Sequence, residues 1–178
     1  ESKKRVSIPV ETIRQIQQSC IEHDDDMRWL IAVISDTGMR LAEAAGLHVD
    51  DIKLDENIPY VDIKPHPWRS LKTRGSQRRV PLVGASLWAA QRIKANGSSC
   101  FAFPRYTDNS RCNDNSASNA LNKWLHANFR NKIVIYSFKK ALRDRLRAVS
   151  CLSEMIYQIG EWSSEKIGEG YGEGHSVL

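Results

Sequence analysis

The chain has 178 residues, 41% of them hydrophobic and 26% charged, with 26 Lys and Arg against 21 Asp and Glu and a net charge of +5. That is enough chain for one domain with its own core, and no apolar run is long enough to cross a bilayer, so no membrane partner is expected. The mild positive charge permits nucleic acid as a partner, and its distribution is more informative than its total: residues 69–79, RSLKTRGSQRR, hold Arg69, Lys72, Arg74, Arg78 and Arg79 with no acid among them, and a second basic cluster spans 139–147.

The cysteines exclude another class. Cys20, Cys100, Cys112 and Cys151 form no CxxC pair, and none stands at a ligand-like distance from His23, His48, His66, His126 or His175. A zinc site is not expected, and scattered thiols in a chain with no visible signal peptide read as reduced cysteines of a cytosol. The first residue is Glu1 rather than Met, so the chain reads as a domain cut from something longer.

In chain order, Pro9 precedes a helical run over 9–22 with Ile13, Ile16 and Cys20 on one face. Acidic EHDDD (22–26) opens or precedes a second helix, 25–36, carrying Trp29, Leu30, Val33 and Ile34; DTG (36–38) breaks it. RLAEAAGL (40–47) is a short Ala-rich helix stopped near Gly46. IPYVDIKP and RRVPLV look like strands, with Pro59, Pro65, Pro67 and Pro81 confining them to edges or ends. KTRGSQRR between them reads as a positively charged hairpin tip.

Helix returns over 86–95, and CFAFP (100–104) is a short strand or an apolar turn. TDNSRCNDNSASN (107–119) is a polar loop that supplies the N-cap of a helix with the stripe Leu121, Trp124, Leu125 and Phe129. A further helix, 138–149, buries Phe138, Leu142, Leu146 and Val149; another covers 153–160; and the glycine-rich tail around Tyr171 is irregular. There is no internal repeat. The whole is mainly α with a small antiparallel β-sheet.

Four places can carry chemistry. On helix 138–149, Lys139, Arg143 and Arg147 form one stripe apart from the buried one. A solvated face would look the same, but a helix start also offers free N–H groups and a positive dipole end to an anion. In DTGMRLAEAAGL, Arg40 sits at the mouth of a short helix with Glu43 three residues on, a rigid perch for a planar fork aimed at a phosphate; an exposed ion pair is the plainer alternative. In LKTRGSQRRVPL, Lys72 at a hairpin tip can reach into a groove or an active site. In GEWSSEKIGEGYGEG, Tyr171 carries a phenol of pKa ~10, a weak nucleophile unless the attacked phosphate is strongly polarised.

TGMRLAEAAGL, LKTRGSQRRVPL, YSFKKALRDRL and GEWSSEKIGEGY, in that order, resemble the catalytic domain of the tyrosine recombinases, the phage-type integrases, over nearly the whole chain. The ten-residue frame from Trp162 to Tyr171 fits the family's spacing from its late His-or-Trp to its nucleophile. The resemblance implies an integrase catalytic-domain fold over 1–178, with the family's N-terminal DNA-gripping domain absent from this chain. It implies that Arg40 binds the phosphate with Glu43 in support, that Lys72 is the general acid toward the leaving 5′ oxygen, that Trp162 donates a hydrogen bond to the phosphate, and that Tyr171 attacks to form a 3′-phosphotyrosyl link. Bond energy is kept in that link, so no metal, ATP or other cofactor is implied.

The implied partners are double-stranded DNA, met by Arg69, Arg74, Arg78, Lys140 and Arg143, and other recombinase subunits in a tetramer formed on DNA. The implied setting is the cytoplasm, at the nucleoid, in service of a bacterial or phage mobile element. One segment departs from the family. Its helix motif reads His-x-x-Arg, whereas here Tyr136 stands at the His position and Lys139 at the second arginine. Lys139 keeps the charge but not the bidentate fork; Tyr136 can donate a hydrogen bond but is a poor proton acceptor near pH 7. Arg143, one turn on, would place its donor about 6 Å further along the helix. Three readings stay open: a working integrase, a degenerate relative that binds DNA without efficient cleavage, and a topoisomerase using the same tyrosine chemistry.

Overall fold

The computed structural model describes residues 7–129 and 132–160. Over these the elements run α1 (Val10–His23), α2 (Asp26–Thr37), α3 (Leu41–Ala45), β1 (Ile52–Lys53), β2 (Tyr60–Ile63), β3 (Arg78–Pro81), α4 (Gly84–Asn96), α5 (Asp114–Asn128), α6 (Ser137–Ala148) and α7 (Ser153–Gly160). The mainly helical class with a small antiparallel sheet is the one the sequence predicts.

α2 is the central helix. Its residues Trp29 to Ser35 and Thr37 are all buried, the signature of a helix apolar on every side, and it packs against α1, α4 and α6. The Asp25 carboxylate, from the acidic run, caps it by accepting the Arg28 N–H at 3.0 Å. It stops at Gly38, which has φ +64° and donates its N–H to Ile34 O at 2.9 Å. A Cβ on Gly38 would stand 2.8 Å from Leu142 Cδ2, so glycine is required both by the left-handed turn and by the approach of α6. Asp36, two residues earlier, ties three helices together: Oδ2 accepts the Ala85 N–H of α4 and Oδ1 accepts Arg145 Nη1 of α6, each at 2.9 Å.

The sheet has the order β1-β2-β3, both pairs antiparallel, with Ile52 opposite Val61 and Val61 opposite Val80. Alternation turns Ile52, Val61, Ile63 and Val80 into the core. Pro59 and Pro65 lie just outside β2 and Pro81 ends the edge strand β3, as their missing N–H requires. The two-residue β1 carries no pattern long enough to read from sequence.

Two expectations need correction. α5 begins at Asp114, inside the stretch read as a loop; Asn113 is its cap, with Oδ1 accepting the Ser116 N–H at 3.2 Å. α6 buries Phe138, Ala141 and Leu142, but Leu146 is only half-buried and Val149 is 74% exposed, because the helix ends at Ala148 and only its first turns lie against the core. Of the two alternatives for CFAFP, the apolar turn is the one formed: Phe103 is fully buried and its carbonyl accepts the Tyr106 N–H at 3.0 Å. No helix among the described residues is long and apolar enough to cross a membrane.

Candidate active site

The site lies where α3, the β2–β3 connection and the start of α6 meet. Gly38 ends α2 so sharply that Arg40 falls at the N-cap of α3 with extended backbone, φ −66° and ψ 147°. Glu43, one turn on, reaches back: its Oε1 accepts the Arg40 N–H at 2.8 Å. Its Oε2 lies 3.7 Å from Arg40 Nη1, which orients the guanidinium without covering it; the Arg40 side chain keeps 25% exposure. The pair weighed as an exposed i, i+3 contact is therefore half of a buried arrangement, since Glu43 itself is 3% exposed.

What permits that burial is Arg78. Its Nη1 donates to Glu43 Oε2 at 2.9 Å and its Nη2 to Oε1 at 3.1 Å. Burial alone would push the Glu43 carboxyl up; the Arg78 hydrogen bonds and charge, with the Arg40 N–H, outweigh it and hold the carboxyl below its ordinary value. Glu43 is thus a fixed anion.

Arg69 supports the same corner from outside. Its Nη1 donates to Glu43 O at 2.7 Å and its Nη2 to Lys64 O. Its stem crosses Gly46 so closely that a Cβ there would stand 2.9 Å from Arg69 Cδ. Trp68 Nε1 donates to Gly46 O at 2.8 Å, and His66 stacks on Trp68 at 4.4 Å while its Nε2 meets the buried Asp51 Oδ2 at 2.7 Å. These contacts staple the base of the β2–β3 connection to α3.

Two of the arginines expected to face DNA are therefore turned inward: Arg69 and Arg78 are 5% and 8% exposed. The strand register explains Arg78, which shares the inward face of β3 with Val80. Arg74 and Lys72 are exposed on the connection, next to a short 3-10 turn over Arg74–Ser76.

Lys139, in the first turn of α6, is 7% exposed. Burial, then the charges of Arg40 and Arg78, push its ammonium down to about 8, with Lys72 acting the same way and Glu43 opposing. The charges of Arg40, Lys72, Arg78 and Glu43 thus all act on one buried cation. Four of the cations singled out in the sequence, Arg40, Lys72, Arg78 and Lys139, come from three separate segments and share one electrostatic neighbourhood.

Tyr136, the residue before α6, is 57% exposed, and Lys140 and Arg143 are half-buried. The start of α6 does not present a row of free amides. The N–H groups of Ser137, Phe138 and Lys139 donate to Val134, Ile135 and Tyr136 carbonyls at 2.8, 3.3 and 3.3 Å. Trp162 and Tyr171 lie outside the described residues.

The phage integrase family model covers residues 7–171, and the chain belongs to that family. Among solved structures, the Tn1549 transposon integrase in complex with transposon right end DNA matches at TM-score 0.65 and 16% identity, over 92% of this chain and 60% of that one. The same integrase with a circular intermediate DNA matches at 0.69 and 14%, with the same shares covered. XerA recombinase matches at 0.68 and 17%, over 89% of this chain and 57% of that one. The chain thus spans about three-fifths of the length of these relatives' structures. No curated protein matched the chain.

Proposed function

We propose that the chain is the catalytic domain of a site-specific DNA recombinase, and that it breaks and rejoins strands through a 3′-phosphotyrosyl intermediate on Tyr171. The observation that carries this is the gathering of Arg40, Lys72 and Lys139 around the Glu43–Arg78 pair: a phosphodiester placed there meets three cations without displacing an internal ion pair. Family membership and the DNA-bound relatives point the same way.

In this scheme Arg40 and Lys139 hold the non-bridging oxygens and stabilise the charge that builds on them during attack. Tyr171 Oη releases its proton to solvent and bonds to phosphorus as the bond to the 5′ oxygen breaks, Lys72 protonates that oxygen, and Trp162 donates its indole N–H to the phosphate. A 5′-hydroxyl from another strand reverses the step, so no nucleotide is consumed. Double-stranded DNA is the substrate, and further recombinase subunits join in a tetramer on it. The setting is the bacterial nucleoid, where such a chain would serve a mobile element.

One observation favours a second reading, in which the chain binds DNA but cleaves it poorly. Lys139 replaces a permanently charged, forked donor with a cation whose proton is held weakly, at about 8. Covalent trapping separates the two. Nicked duplexes from the DNA flanking the protein's own gene should give a denaturation-resistant protein–DNA band that disappears in Tyr171→Phe. A band seen only in Lys139→Arg would favour the second reading.

A further inference from the structure

Arg78 spends its donors on three different pieces of the site. Nε donates to Ile159 O in α7 at 2.9 Å. Nη1 donates to Ser76 O at 2.8 Å, in the turn four residues beyond Lys72. Nη1 and Nη2 together hold both oxygens of Glu43, the residue that fixes Arg40. The guanidinium is planar and its donors are set at fixed angles, so these partners cannot shift independently. From Ile159 the chain reaches Trp162 three residues on and Tyr171 nine residues after that.

We propose that Arg78 is a positioning residue which ties the end of α7 to the Glu43–Arg40 corner and to the turn after Lys72, and so governs the rate of the reaction at that site. The proposal rests on the recombinase reading above. Arg78 touches neither substrate nor nucleophile in this role. It acts through Glu43 at one end and through the α7 backbone at the other. A lysine at 78 would keep the charge and reach Glu43, but a single ammonium cannot grip two carboxylate oxygens and two carbonyls that lie in different directions.

The test compares the full chain with Arg78→Lys, and with Arg78→Met combined with Glu43→Met, which removes the buried charges as a pair and guards against a variant that fails to fold. Three quantities are read: affinity for the nicked duplex, the rate of covalent complex formation at saturating DNA, and native-state amide exchange resolved by segment. In Arg78→Lys affinity should stay within about threefold, because Arg78 is buried and Glu43 still fixes Arg40. The covalent rate should fall at least tenfold, and exchange in 153–160 should accelerate about tenfold while α2 is unchanged. An unchanged covalent rate, or acceleration spread evenly over α2 and α7, would overturn the positioning role. Wild-type protein forming no covalent link would instead overturn the recombinase reading, whereas wild-type cleavage with Arg78→Lys equal to it would remove only the inference.

Discussion

Glu43 meets Arg78 with both carboxylate oxygens, at 2.9 and 3.1 Å, and each side chain is 4% exposed. Arg40 is tied to this pair through Glu43, which accepts its N–H at 2.8 Å. Removing the carboxylate would leave a guanidinium buried without its counter-charge. Glu43→Ala is expected to destabilise the fold by about 3–5 kcal/mol, measured by urea unfolding. A loss under about 1 kcal/mol would show that the pair does not govern the corner.

Lys139 makes stability depend on pH. Burial and the neighbouring cations lower its ammonium from 10.5 to about 8 in the folded chain. Between those values the unfolded chain binds more protons than the folded one, so stability rises with pH through that window. Below about pH 8 the charged lysine costs the fold its full penalty, on the order of 3 kcal/mol. Lys139→Met should therefore be more stable than wild type at pH 7, with the difference closing toward pH 10.5. Thermal unfolding at the two pH values checks this, and a constant difference would contradict it.

A bound phosphodiester should reverse that depression, because an anion beside Lys139 favours its charged form. Binding of DNA at pH 8 is expected to take up protons, seen by calorimetry as a binding heat that changes with the ionisation enthalpy of the buffer. Lys139→Arg should remove this dependence, since arginine stays charged throughout.

The salt response should separate the exposed cations from the buried ones. Lys72→Ala and Arg74→Ala are each expected to reduce the slope of log affinity against log salt by roughly 0.9, the value for one phosphate contact on duplex DNA. Arg69→Ala should lower thermal stability with a smaller change in slope, because its donors are engaged by the carbonyls of Glu43 and Lys64. Equal slopes for all four proteins would exclude these cations from the DNA surface.

Gly38→Ala tests the junction that delivers Arg40. Alanine would have to adopt φ +64° and push against Leu142 at 2.8 Å. The two effects together are expected to cost about 2–4 kcal/mol of stability. Since the Leu142 side chain of α6 must give way beside the turn that leads to Arg40, cleavage should fall as well, scored by covalent trapping below the melting temperature.

Local chemistry made much of this protein legible in its sequence. Apolar repeats at helical spacing marked α1, α2 and the stripe of α5. Proline positions bounded β2 and β3, and an Arg with a Glu three residues on marked the mouth of α3. Each of these signals lies within about a dozen neighbouring residues, where backbone geometry decides the outcome. Tertiary packing alone decided which cations stay in water. Arg69, Lys72, Arg74 and Arg78 share one basic run, yet Arg69 and Arg78 are buried while Lys72 and Arg74 are exposed. The alternation of β3 placed Arg78 on the side of Val80, which was a readable hint. The anion that makes its burial affordable is Glu43, thirty-five residues away in the chain, and only the fold brings it there. The same holds for Lys139, whose lowered proton affinity comes from burial and from charges on α3, β3 and the β2–β3 connection. A side chain's type is written in the sequence, but its desolvation and its counter-charge are set by residues distant in the chain.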